Sequence, residues 1–498
     1  MIQKKIILYG ICLVICLILS LQGASAINHQ SMFTADRLSI GQSSYQNEVW
    51  VDDDYYDGGD NDGHTWGYDA FNDIQKGIDN VTDCGVVHVK EGSYTPLAID
   101  HRNNLCIESI SEDMPLVEGR IDAWDPTLPT PGYVYSVVFL NNSQNIQLSG
   151  LDIQGRNLID RSYAVYLNGS SAVIQSCQLS PNERGNMNNL ALRAQLCSEL
   201  DLVDSTVLNY GRIGVYCRTG TTASIQNNTI IGQIYDDGDG DYVSYGIEIE
   251  SLGEASHVTI QSNTIYNHNH LGTATWSSAG IIIDTWRYYE LTEENCTATI
   301  KYNDIHDNMI GLQIVPNTEI VLERNKIHKN TDYGAVCDPY FDGESLVYEN
   351  LIATINWWGD TSGPYHETEN PTGQGDTITD YVVYEPWVTT LEPTIELTQP
   401  LNKYIYFNLN DIIEFKFPFI ATVIIGKITI KAEAPECLYG IDTVEFYVDD
   451  DLKYTATQPP YEWVWNEDTT FFMYTLKTII YDTQGNSADD DVHVWKLL

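Results

Sequence analysis

Two acidic loops hold the residue types best suited to binding an ion. "DDDYYDGGDNDGH" runs from Asp52 to His64, and "DDGDGD" from Asp236 to Asp241. Calcium takes about six to eight oxygen ligands, and glycine lets a short loop bend to supply them. The candidate ligands are Asp57, Asp60 and Asp62 in the first loop and Asp236, Asp237, Asp239 and Asp241 in the second. Neither loop completes an EF-hand spacing, and a solvated acidic turn is the other reading of each. Aromatic side chains collect at Tyr55, Tyr56 and Trp66 and again at Trp276, Trp286, Tyr288 and Tyr289. An exposed ring can stack on a sugar, and the second group is the candidate glycan-binding set; covering a loop is the alternative role. Glycoside hydrolysis needs two carboxylates about 5–10 Å apart. The chain has 70 acidic residues, so a pair at that distance carries no information by itself.

The overall charge excludes some partners. Against 70 Asp and Glu stand 25 Lys and Arg, a formal charge of -45. A phosphate backbone needs a basic face, so nucleic acid is excluded as a partner. Lys4 and Lys5, an apolar run from Ile6 to Leu21 and "GASA" match the three-part plan of a signal peptide over residues 1–26. The expected location is therefore secreted or cell-surface, with residues 27–47 as a linker. A membrane attachment follows only if the segment stays uncleaved. Two of the 10 Cys lie in that segment. Of the rest, Cys84 and Cys106 are the candidate disulfide, being near neighbours in successive strand segments; small buried thiols are the other reading.

These residues need a scaffold, and a repeat supplies it. "SIQNNTIIG" (224–232), "TIQSNTIYN" (259–267) and "TIKYNDIHD" (299–307) share one phrase. Units beginning at Gly214, Gly246, Gly280, Gly311 and Gly334 alternate apolar and polar residues, turn, and alternate again. Period two means strands with one buried face. Strands this short are unstable alone but are satisfied by stacking turn upon turn. Asn228, Asn263, Asn303 and Asn325 then fall in one column, where Asn tolerates a left-handed corner and stacked amides can bond along the axis. A coil also needs caps. "YDAFNDIQKGIDNV" (68–81) reads as an amphipathic capping helix with Asp69 as its N-cap.

"VWVDDD", the helix, "VVHVKEGSYT", the Asn repeats and the closing "NWWGDTSGP" resemble secreted right-handed parallel β-helix proteins, including archaeal surface proteins. The resemblance covers residues 48–390, with 356–390 closing the coil. It implies the fold and leaves activity open, because that scaffold carries lyases, hydrolases, adhesins and binding proteins. Lyases of this kind use calcium, an acidic cluster and a basic residue, for which Arg212, Arg218 and Arg287 are the candidates. No complete catalytic motif is present.

From residue 391 the strands lengthen. "DTVEFYVDD", "PPYEWVW" and "YTLKTIIYDTQGN" resemble the immunoglobulin-like modules of secreted bacterial and archaeal proteins. The expected architecture is all-β: a right-handed parallel β-helix followed by an Ig-like sandwich over 391–498. The expected function is glycan binding or a structural role in a cell-surface layer. The alternative is a polysaccharide-degrading enzyme, either a calcium-dependent lyase or a glycoside hydrolase. The two differ in whether an acid, a base and a charge stabiliser converge in one cleft.

Overall fold

In a computed structural model, the described residues are 46–497, apart from 126–131, 156–161, 182–188, 236–242, 252, 271–276, 285–294, 317–318, 409–411, 417–420, 468 and 470–471. Among them the chain is all-β with a single helix. Three parallel sheets wrap one core, and each strand pairs with its counterpart one turn later. In the first sheet Leu202, Ile225, Ile260, Ile300 and Leu322 stand in register. In the second, Val207, Ile230, Ile265, Ile305 and Ile327 do the same. In the third, Leu192, Val215, Ile247, Ile281, Leu312 and Ala335 complete the lining. All are buried in one continuous cluster. At a strand spacing of about 4.8 Å, each side chain packs on its own equivalent, so alternation in the sequence becomes apolar ladders in space.

The corner between the first and second sheets carries the Asn column. Asn228 Nδ2 donates to Asn263 Oδ1 at 3.0 Å, Asn263 to Asn303 at 3.0 Å, Asn303 to Asn325 at 2.9 Å and Asn325 to Asn356 at 3.0 Å. Each Oδ1 also accepts the backbone N–H of the previous Asn, as from Asn228 N to Asn263 at 2.9 Å. Ser205 and Cys177 occupy the same position in earlier turns. The left-handed residue is not the column Asn but the one before it: Asn227, Ser262, Tyr302, Arg324 and Ile355 all have φ between 56° and 60°. The Asn is kept for its amide, which satisfies buried backbone groups that side chains of other shapes leave bare.

A second polar column lines the corner between the second and third sheets. His268 Nε2 meets Tyr210 Oη at 2.6 Å and its Nδ1 meets Asn308 Oδ1 at 2.7 Å. Asn308 Nδ2 donates to Asn330 Oδ1 at 3.1 Å, and Asn330 Nδ2 to Asp376 at 2.7 Å. Because Asn308 Nδ2 is used on Asn330 and on the Ile265 carbonyl, its oxygen faces His268. The imidazole therefore carries its proton on Nδ1 and accepts from Tyr210. Glycine makes room beside this column: a Cβ on Gly246 would lie 2.5 Å from the Gly280 carbonyl oxygen and 3.0 Å from the His268 ring.

The N-terminal opening is closed by a helix, but a shorter one than the periodicity suggests. It spans Ile74–Asn80, with Asp73 rather than Asp69 as the N-cap, accepting from Gln75 N at 2.9 Å. Ala70–Phe71 pair instead with Trp50 and Val51 as a strand, and Asp69 binds Thr65 N and His64. Ile74 and Ile78 are the buried side chains that cover the first ladder. Cys84 and Cys106 are not bridged, and all eight described cysteines are free. The two lie on neighbouring strands out of step: Cys106 pairs with Val86, while Cys84 N bonds Asn103 O at 3.2 Å. The Cys106 thiol faces Glu108.

Beyond the coil, Glu396–Gln399, Ile428–Glu433 and Tyr461–Trp465 form a three-stranded sheet facing a seven-stranded one that includes Ile441–Val448, Phe472–Asp482 and Ser487–Leu497. This sandwich has its own core, with Trp465, Phe446, Ile480 and Val494 buried. It touches the coil through Arg324, whose Nη1 donates to the Cys437 and Leu438 carbonyls at 3.1 and 3.2 Å and whose Nη2 meets Glu436 at 2.5 Å. Tyr302 stacks on Tyr439 beside it.

Candidate functional site

Buried polar side chains collect on the outer face of the third sheet. Strands Ser162–Asn168, Leu190–Gln195, Ile213–Arg218 and Tyr245–Glu250 alternate their side chains between core and exterior. Val215, Cys217, Ile247 and Ile249 point in. Tyr166, Arg193, Tyr216 and Glu248 form an outward row in register along the coil. Arg218 and Glu250 are paired neighbours in the row beside it. The strand geometry thus gathers residues from four turns that lie far apart in the chain.

The gathered groups are closely coupled. Arg193 is buried, donating from Nη1 to Tyr163 Oη at 2.7 Å and from Nε to Gln195 Oε1 at 2.9 Å. Gln195 in turn donates to Tyr166 Oη at 2.6 Å. The Arg193 guanidinium lies over the Tyr163, Tyr166 and Tyr216 rings at 5.5, 5.6 and 5.9 Å. Arg212 lies 5.3 Å over Tyr245, and Arg218 lies 5.5 Å over Tyr216. The Tyr216 hydroxyl donates to Glu250.

Glu248 and Glu250 are only 3 % and 2 % exposed. Burial, and next the charge of Glu250, push the Glu248 carboxyl well above the usual carboxylate range; hydrogen bonding with Glu250 adds to this, and Arg212 opposes it. Burial would lower the Arg212 guanidinium, but Glu248, Tyr245 and Tyr216 outweigh it and hold it above its ordinary value. Burial, then Glu250, likewise raise the Tyr216 hydroxyl.

Among the described residues, four polar atoms of the arginines and glutamates on this face are hidden from solvent and lack a hydrogen-bond partner: Glu248 Oε2, Glu250 Oε1, Arg212 Nε and Arg218 Nε. Each such atom costs about 1–3 kcal/mol, and more where charged. Two acceptors and two donors on one face define what a bound molecule would have to offer.

Arg212 and Arg218, singled out by sequence, meet here. Arg193, Tyr216, Tyr245, Glu248 and Glu250 were missed, because "GIEIE" alone is simply an alternating strand. Aligning the glycine-led strands would have exposed them: Tyr216 and Glu248 both follow their glycine by two positions, and Arg218 and Glu250 follow by four. A second signal is compositional. Between Lys90 and Lys301 the chain has no lysine, and its cations there are nine arginines. Arginine offers the planar fork that matches a carboxylate or sulfate.

The other candidates are dispersed. Trp276, Trp286, Arg287, Tyr288, Tyr289, Asp236, Asp237, Asp239 and Asp241 lie outside the described residues. In the first acidic loop, Asp62 is paired with Lys90 and accepts from Tyr55 Oη at 2.9 Å. Asp57, Asp60 and Asp62 form no ligand group. Among the described residues, the acidic grouping with metal-ligand spacing is Asp52, Asp53 and Asp54. Two of those already serve the backbone, Asp52 accepting from Asp54 N and Asp53 from Ser93 N.

Comparison with known proteins agrees with this architecture. The family model described as a right-handed beta helix region matches residues 190–352. The bacterial Ig domain model matches residues 413–478. The fold is thus a right-handed parallel β-helix followed by an Ig-like sandwich. No curated protein sequence matches the chain. Among solved structures, fibronectin(III)-like modules of Clostridium thermocellum CbhA are similar at 22 % identity over 23 % of this chain, with a TM-score of 0.16. The chain spans 50 % of the length of that structure. Pectin methylesterase PemA from Erwinia chrysanthemi is similar at 9 % identity over 67 % of this chain and 93 % of its own, with a TM-score of 0.33.

Proposed function

We propose that the protein is a secreted or cell-surface β-helix protein that binds an acidic glycan on the outer face of its third sheet. The observation that supports this is the set of four unpartnered atoms. Arg212 Nε and Arg218 Nε call for an acceptor such as a carboxylate or sulfate, and Glu248 Oε2 and Glu250 Oε1 call for hydroxyl donors. A uronic or sulfated sugar carries both within one ring. The basic N-terminal start followed by an apolar run supports the extracytoplasmic location. Affinity electrophoresis through polygalacturonate, alginate and chondroitin sulfate tests the reading. Retardation by at least one is expected, and Arg212→Ala with Arg218→Ala should weaken it about tenfold or more, as loss of charge-assisted bonds implies. Equal retardation of the double variant would refute it.

A second reading, eliminative cleavage of a uronic ligand, is supported by the raised Glu248 carboxyl beside Glu250 on one strand. Glu250 would take the ring proton alpha to the carboxyl of a uronic sugar. Glu248 would give its proton to the departing glycosidic oxygen as the C–O bond breaks and a C=C bond forms. Arg212 or Arg218 would hold the acidic group. Proton transfer from Glu250 back to Glu248 restores the pair. Two carboxyls within hydrogen-bond reach on one strand suit work on one side of a sugar, whereas glycosidases hold theirs about 5 Å or more apart. Ultraviolet absorbance from the unsaturated product should grow with the wild type and not with Glu248→Gln. A glycan that binds and stays intact would leave the binding role alone.

A further inference from the structure

We propose that Tyr348 and Tyr381 form a platform for an uncharged glycan at the C-terminal end of the coil, separate from the acidic-glycan face. The two rings stack with centroids 5.0 Å apart and an interplanar angle of 23°. They remain 50 % and 48 % exposed, so each uses one face on the other ring and keeps surface for a ligand. Tyr381 holds its ring out from a left-handed backbone, φ 69°, an uncommon conformation for an aromatic residue. That conformation is held in place by the neighbouring strand Leu351–Ile352. Leu351 N donates to Tyr381 O at 2.9 Å, and Leu351 pairs with Val382.

The platform borders a groove lined by Asn350, Glu369, Asp380, Tyr381, Tyr384 and Glu385. The amide and three exposed carboxylates offer acceptors for sugar hydroxyls, Asp380 also meeting His366 Nε2 at 3.2 Å, and no lysine or arginine among the described residues lines it. Charge therefore selects the occupant. A uronate or sulfated chain would meet three carboxylates, so this site and the arginine face take opposite classes of sugar. Stacking against the hydrophobic face of a sugar ring needs no charge on the ligand.

The full chain is to be run in gels containing galactomannan, xyloglucan or mixed-linkage β-glucan. Retardation by at least one is expected. Tyr348→Ala and Tyr381→Asn, the latter chosen because Asn tolerates the left-handed backbone, should each weaken it about tenfold, the loss of one stacked ring. Tyr348→Phe should retain it, and the Arg212→Ala, Arg218→Ala double variant should be unaffected. Thermal melts establish that each variant folds. Absence of retardation by every uncharged polysaccharide would overturn the proposal, as would retardation that survives loss of both tyrosines. Sedimentation as a dimer that both substitutions abolish would assign the patch to self-association instead and overturn it equally.

Discussion

Substituting His268 should change how the stability of the coil depends on pH. Burial pulls this imidazole down from 6.5 to about 4, against the hydrogen bond it donates to Asn308, which acts the other way. Folded, the ring is neutral down to about that pH. Unfolded, it takes up a proton below its ordinary value. The unfolded state therefore binds more protons between the two, and stability from this group is complete above about pH 6.5 and lost as pH falls towards 4. The gap, at about 1.4 kcal/mol per pH unit, amounts to about 3 kcal/mol. His268→Gln removes this dependence. At neutral pH the variant also loses the Tyr210 and Asn308 contacts, at about 1–3 kcal/mol. Urea unfolding followed by tryptophan fluorescence should show the wild type ahead at about pH 7 and the two proteins converging by about pH 4.5. Burial raises the Asp376 carboxyl at the other end of the column, which contributes with the opposite sign. It is present in both proteins, so the difference between them isolates the histidine. Curves that fall in parallel would show that the ring titrates normally and that the buried, neutral tautomer is wrong.

Three other outcomes follow from the same geometry. Asn303→Ala leaves Asn263 N and Nδ2 without their acceptor and the Ile260 carbonyl without its donor. It should cost about 3 kcal/mol or more in urea unfolding, and Asn303→Ser should cost less, as Ser205 already fills an equivalent position. Arg324→Ala removes three bonds to the sandwich. Limited proteolysis between residues 384 and 396 should then speed up while both separate cores stay protected, and an unchanged cleavage rate would show that Arg324 does not hold the sandwich. Without reductant, Cys84 and Cys197 should react with a thiol reagent in the folded protein, since both are exposed and free, whereas Cys177, Cys217 and Cys296 should react only after unfolding.

The repeat announced itself because every turn faces the same local problem. Asn228, Asn263, Asn303 and Asn325 each satisfy the same buried backbone groups, so the solution recurs at matching points of the repeat. Its left-handed corner was assigned one residue too late. Asn227, Ser262, Tyr302, Arg324 and Ile355 share a backbone conformation and no side-chain chemistry, so the position has no signature. The helix was read too long because Ala70 and Phe71 are apolar at helical spacing yet pair with Trp50 and Val51, a contact that periodicity cannot see. The Cys84–Cys106 pairing failed on register, which one-residue shifts decide and spacing does not. The glutamate and arginine face was hidden for the opposite reason to the Asn column. Its residues differ from turn to turn, and only the coil sets Tyr216 beside Glu248 and Arg218 beside Glu250.

Corner geometry also bears on why the candidate site gathers on that face. Strands of the first and second sheets are joined through two residues at each turn from 150–151 to 324–325. The Asn column occupies this corner, and an added residue would break the amide contacts above and below it. Connections from the second sheet to the third have no such uniform length, ranging from residues 95–96 to residues 232–244. Connections from the third sheet to the first vary as well, from residues 169–170 to residues 284–296, so variation is tolerated at both edges of the third sheet and suppressed at the corner opposite. Under the proposed binding role, a coil of this kind would change its ligand by altering segments beside Arg212, Arg218, Glu248 and Glu250 while the ladders beneath them stay intact. The apolar ladders and the Asn column hold those side chains at a constant spacing, and chemistry is left to the outward positions that packing does not dictate.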